Sequence, residues 1–157
     1  MESFKEIVDL FDFTIEDLLD AVMLELHQDI IELNQIEQLQ EGIDALDQKI
    51  ILPSAKEQKL GNVYSVYTIQ ERKALGLQSD KVDLRVTGRF WNTFKVVKVS
   101  KGWQIQANYT VNGDDIRVNF DSKYDFTGLT DNNLEVLVYQ YIIPLLEKKI
   151  LNRLKIW

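Results

Sequence analysis

The chain contains no cysteine and a single histidine. The first absence excludes disulfides, thiolate nucleophiles and cysteine-held zinc or iron–sulfur centres. The second leaves no histidine pair at metal-binding spacing, and His27, set between Leu26 and Gln28 in an acidic helical stretch, reads as a surface or boundary residue. No apolar run approaches the roughly 18 residues that a membrane span requires. The opening MESFKEIVDLFDF is acidic and lacks a basic stretch ahead of an apolar run, so no secretory signal is expected. Phosphate-binding loops of the G-x-x-x-x-G-K-S/T and G-x-G-x-x-G kinds are missing, as is a G-x-S-x-G elbow for a serine nucleophile. Asp114-Asp115 form a carboxylate pair, but they follow Asn112-Gly113, and turn chemistry accounts for them. The expectation is a non-enzymatic protein without a cofactor.

Basic residues are scarce at one end. Residues 1–50 hold fourteen Asp/Glu against Lys5 and Lys49, whereas residues 51–157 hold eleven against sixteen Lys/Arg. The plain reading is two differently solvated faces. The sharper one is a molecule with an acidic and a basic end, suited to pairing with copies of itself. Overall acidity, −7, disfavours a nucleic-acid binder, although the basic part leaves room for a lined channel.

What is present points to a single α+β domain over 1–157, a one-domain length. Residues 1–41 read as an acidic helical arm. Phe4, Ile7, Val8 and Phe11 share one helical face, and Thr14 followed by Glu16 and Asp17 marks a helix start. Leu18, Leu19, Val22, Leu26, Ile30, Leu33 and Leu39 keep helical spacing, and Gly42 stops the helix. Residues 45–62 form a long connection punctuated by Pro53 and Gly61. Val63 to Ile69 is expected to be extended, with a short helix from Ile69 to Leu75 closed by Gly76. Residues 81–120 read as an antiparallel β meander of three to five strands, with Asn112-Gly113 as the strongest hairpin signal. Trp103, Ile105, Ala107 and Tyr109 share one face of its middle run. A long C-terminal helix over 130–155 is expected to pack on the sheet, with Thr130 or Asp131 as cap and a kink at Pro144. The terminal Ile156-Trp157 must dock or lie exposed.

The stretch VDLRVTGRFWNTFKV (82–96) crowds Phe90, Trp91 and Phe94 into five positions. Phe90 and Phe94 share a face, which leaves Trp91 pointing elsewhere, and an outward Trp is a common interface anchor. Together with Glu25, Asp29 and Glu32 on the acidic helix and Lys95 and Lys98 after the aromatics, these residues make the expected assembly interface.

Four stretches carry a family resemblance. T-G-R-F-W-N-T-F-K-V (87–96) is similar to the Thr/Ser-Gly-x-Phe/Leu-x-x-Ser/Thr-Phe-x-Val segment of tailed-phage virion morphogenesis proteins of the tail-completion or neck group. F-T-G-L-T-D-N-N-L-E-V-L (126–137) resembles their Phe-x-Gly-Leu-Thr/Ser stretch ahead of a C-terminal helix. N-Q-I-E-Q-L-Q-E-G-I-D (34–44) and Y-S-V-Y-T (64–68) resemble the branch found in phages of Bacteroidetes-type hosts. Leu46-Asp47 stands where that branch has a tight Gly turn, and Tyr124-Asp125 stands in place of its usual Arg. The resemblance assigns structural roles to Gly42, Asp44, Tyr64, Thr87, Gly88, Gly128, Leu129 and Thr130. It implies a homo-oligomeric ring in the virion, assembled in the host cytoplasm at the head–tail junction or the top of the tail. Partners would be other neck or tail proteins, with DNA passing through the lumen, and no membrane. The competing reading is a soluble acidic regulator or inhibitor that binds a host protein.

Overall fold

A computed structural model describes residues 15–57, 63–120 and 123–154. The Phe4–Phe11 lead, Thr14, Gly61 and Ile156-Trp157 lie outside the described residues.

The acidic helix forms as its spacing predicts. Helix α1 (Ile15–Glu25) carries Glu16 and Asp17 in its first turn, where the helix dipole favours anions. It runs into α2 (His27–Asn34). The ladder continues through Leu26, whose amide donates to the Val22 carbonyl at 2.9 Å and whose carbonyl accepts from Ile30 at 2.9 Å. The stripe of Leu18, Val22, Leu26, Ile30, Leu33 and Leu39 is buried as expected. A π-helical turn (Gln35–Leu39) finishes it, and Gly42 closes it with φ +74°. A side chain at Gly42 would also crowd Lys81, whose Cβ lies 3.1 Å from the ideal Cβ position.

The connection that follows is built around one carboxylate. Asp44 is fully buried, and its Oδ1 accepts from the amides of Leu46 (3.1 Å) and Gln48 (2.8 Å) while Oδ2 accepts from Asp125 (3.1 Å). Asp47 takes the left-handed conformation, φ 57°, so this chain makes with aspartate a turn that glycine makes more easily. Helix α3 (Pro53–Glu57) begins on Pro53, whose missing N–H costs nothing at a helix start. Helix α4 (Val66–Ala74) is longer than expected and replaces the extended segment predicted for 63–69. Ser65 is the reason: its Oγ accepts from the Thr68 amide at 3.1 Å and caps the helix three residues early.

The meander is not formed. In its place are two separate two-stranded antiparallel sheets. Strands β1 (Lys95–Val99) and β2 (Gly102–Gln106) pair from Lys95 opposite Gln106 to Val99 opposite Gly102. β3 (Thr110–Val111) and β4 (Asp114–Asp115) pair across Asn112-Gly113, whose φ angles of 56° and 90° confirm the hairpin turn. Between the sheets, side chains take the backbone groups a ladder would need. The Asn108 amide donates to Thr93 Oγ1 at 2.9 Å, and Asn108 Oδ1 accepts from Thr110 at 3.0 Å. After β4, Asp115 caps a 3-10 turn (Ile116–Asn119) through the Arg117 amide, so the third run ends after two residues. Residues 81–87, expected as a strand, are irregular because Asp83 Oδ1 captures the Arg85 amide at 2.9 Å and Leu84 has φ 54°.

The C-terminal helix begins as predicted, with Thr130 Oγ1 accepting from the Asn133 amide at 3.2 Å. It comprises α5 (Asp131–Val136), a π-helical stretch (Leu137–Ile142) and α6 (Ile143–Leu154). The wide turns lie directly before Pro144, whose ring would collide with the carbonyl four residues back in an α ladder. This helix packs chiefly against α1, not on the sheet. One core joins the pieces: Val22, Ile30 and Leu39 from the first helix meet Ile50, Val82, Phe90, Phe94, Ile105, Phe126 and Leu137.

Candidate functional site

Three of the four segments that carry the resemblance, 34–44, 87–96 and 126–137, converge on the end of the first helix. Asn34 Nδ2 donates to the carbonyls of Phe126 (3.1 Å) and Gly128 (2.7 Å), and Gln38 Nε2 donates to Gly128 at 3.1 Å. Gln38 Oε1 accepts from the Thr130 amide at 2.9 Å, and Asn133 Nδ2 donates to the Leu33 carbonyl at 3.1 Å. Gln35 Nε2 reaches the Trp91 carbonyl at 2.8 Å. Asn34 and Gln38 are almost completely buried, so these amides hold the fold through bonds that water cannot replace. Gly128 is required by close approach, since a Cβ there would sit 2.7 Å from that of Ala45. Leu129 is half-buried against the core.

The aromatics of 90–94 belong to the core. Phe90, Trp91 and Phe94 are 4%, 7% and 8% exposed, which corrects the expectation of an outward Trp91. A 3-10 turn (Trp91–Thr93) explains it, because its tighter winding obeys neither strand alternation nor the α-helical face. Phe90 meets Phe94 edge to face at 5.0 Å and Tyr109 at 5.4 Å. Trp91 turns the other way and donates from Nε1 to the Asp83 carbonyl at 2.9 Å.

Asp83 is half of a buried ion pair absent from the sequence-derived site. Arg72 Nη2 lies 3.0 Å from both carboxylate oxygens of Asp83. The same guanidinium donates to the carbonyls of Gln78 (2.6 Å) and Arg85 (3.3 Å) and sits 4.8 Å from the Tyr64 ring centroid. Burial pushes the Tyr64 hydroxyl up to about 12, against a smaller opposing effect of the Arg72 charge.

Above this pair lies an open apolar groove of about 870 Å³. Tyr64, Arg72, Val82 and Phe90 line it from the core side, and Val111, Ile116 and Phe120 from the β3–β4 side. Thr87 and Gly88 of the resemblance motif form part of its wall, with Gly88 at φ +76°. Three lining residues project strongly: Leu75 is 66% exposed, Val86 60% and Val118 79%. These side chains give the groove an exposed aliphatic rim. Sequence reading missed it because its members come from separate loops.

The expected charged interface is partly used up inside the chain. Lys98 pairs with Asp20 and lies 3.7 Å from Glu16, Lys149 pairs with Glu25 at 2.7 Å, and Lys81 pairs with Glu41. The neighbouring Asp20 and Glu41 carboxylates raise the Lys98 and Lys81 ammonium groups above their ordinary range. Glu16, Asp20, Glu25 and Glu41 of the acidic part therefore meet lysines of the later part within the same chain. Asp29 is half-buried, Glu32 accepts from Gln28 at 3.1 Å, and Lys95 is exposed. Among the described residues no three of His, Asp and Glu converge as metal ligands, and no helix is long and apolar enough to cross a membrane.

No known protein family, characterised protein or solved structure matches the chain.

Proposed function

We propose that the chain is a structural virion protein of the neck or tail-completion type, acting as a homo-oligomeric ring that joins or terminates the tail. The observation that carries this reading is the apolar groove with its exposed rim of Leu75, Val86 and Val118, which offers apolar area for contact. The resemblance supplies the kind of contact. Its stretches at 34–44, 87–96 and 126–137, far apart in the chain, meet through Gln35, Asn34 and Gln38, as residues that jointly define one fold should. A ring requires a heterologous contact, in which one patch of a subunit meets a different patch of the next. With Lys98, Lys149 and Lys81 engaged within the subunit, that contact is assigned to the groove and not to opposed charges.

The test is location and stoichiometry. Purified particles should contain the chain in a fixed multiple, and mass photometry should find the same multiple in solution or on addition of its neighbouring virion proteins. A chain absent from particles, or monomeric both alone and within them, would overturn the reading and favour a soluble regulator.

A further inference from the structure

The geometry points to an occupant for the groove: residues 4–11 of a second copy of this chain. The inference rests on the homo-oligomeric reading above. Phe4, Ile7, Val8 and Phe11 stand at i, i+3, i+4 and i+7, the anchor spacing of an amphipathic helix laid into an apolar groove. The flanking Glu2, Glu6, Asp9 and Asp12 outweigh Lys5, whereas the exposed Arg89 and Glu71 of the groove lining balance each other, so the apolar spacing and not charge carries the fit.

Reach decides whose groove is filled. Glu16, at the start of α1, lies beside Lys98, near the turn of the β1–β2 hairpin. Gln35, at the far end of the same helical run, bonds to Trp91, next to the groove-lining Phe90. At ~1.5 Å per residue the run separates these ends by about 25–30 Å. Phe11 is four residues ahead of Ile15 and extends at most ~14 Å from it. The length of the run exceeds that reach, so the segment is assigned to a neighbour's groove and not to that of its own subunit. Each subunit then gives one segment and receives another, which is the head-to-tail relation that closes a ring.

The absence of cysteine makes the test direct. The full-length Phe11→Cys/Val118→Cys variant, oxidised in solution and in purified particles, should give a ladder of cross-linked multiples on a non-reducing gel. A cross-linked species confined to monomer mass would show docking in the same subunit, and no cross-link would show that another occupant fills the groove; either overturns the inference. A second experiment uses Phe11→Asp and Val118→Asp separately, the latter at a side chain 79% exposed and so tolerant of change. Each variant alone should be monomeric, and a one-to-one mixture should recover a dimer, because one intact segment meets one intact groove. If the unaltered chain forms rings and both variants still do, this docking mode fails while the ring stands. If the unaltered chain is monomeric even in particles, the ring reading itself fails.

Discussion

Replacing Arg72 with Met removes the guanidinium while keeping most of the aliphatic volume. Asp83 is then left buried with the Arg85 amide as its remaining partner, and the Gln78 and Arg85 carbonyls each lose a donor. Breaking a buried pair from one side costs about 3–5 kcal/mol, since the surviving charge is uncompensated. For a chain of 157 residues each kcal/mol lowers Tm by roughly 2–4 °C, so the expected fall is about 6–20 °C. The informative comparison is Arg72→Met/Asp83→Leu, in which no charge remains to be solvated. Its loss should be smaller than the sum of the two single losses by at least ~2 kcal/mol. Urea denaturation of the four proteins, with equal slopes to validate the comparison, measures that coupling. Additive losses, or an Arg72→Met loss below ~1 kcal/mol, would refute the claim that this pair holds the 78–85 loop under the groove.

Gly128→Ala should cost about 1–3 kcal/mol by overpacking against Ala45, and Ala45→Gly in the same chain should return most of it; a thermal melt showing no rescue would refute the steric account. Thr130→Ala should lose about 1 kcal/mol of stability, with Thr130→Ser close to the unaltered chain, since the cap is the hydroxyl that receives the Asn133 amide. Tyr64 makes a pH prediction. Its folded hydroxyl titrates near 12 against about 10 when unfolded, so its contribution is intact below pH ~10 and is lost as pH rises through ~12. Unfolding free energy should therefore fall more steeply between those values in the unaltered chain than in Tyr64→Phe, by up to about 2 kcal/mol, and parallel curves would contradict it.

Helices were legible where their signals are local. The Leu18-to-Leu39 stripe, the stop at Gly42 and the cap at Thr130 each depend on residues within a turn or two of one another. The Asn112-Gly113 hairpin was legible for the same reason. Misread segments are those whose backbone is claimed by distant side chains. Residues 81–87 alternate like a strand, yet Arg72 and Trp91 fix Asp83 and its neighbours in an irregular path. The run after Gly113 looks extended until Asp115 captures the Arg117 amide. Of the expected interface, Phe90, Trp91 and Phe94 proved internal because a 3-10 turn sends Phe90 and Phe94 together to one part of the core and Trp91 to another. Glu25 and Lys98 proved to be partners of Lys149 and Asp20 in the same subunit, a pairing that a count of charges along the chain cannot reveal.

The side-chain amides of Asn34 and Gln38 have a consequence for biosynthesis. Their acceptors and donors at Phe126, Gly128 and Thr130 lie some ninety residues downstream. While the ribosome is still translating those codons, the polar face of the first helix has only water to bond. The helix can nucleate early, but its burial must wait for nearly the whole polypeptide to emerge. A nascent chain stalled before Phe126 should therefore remain sensitive to protease, and completion of the last helix should confer resistance in a single step.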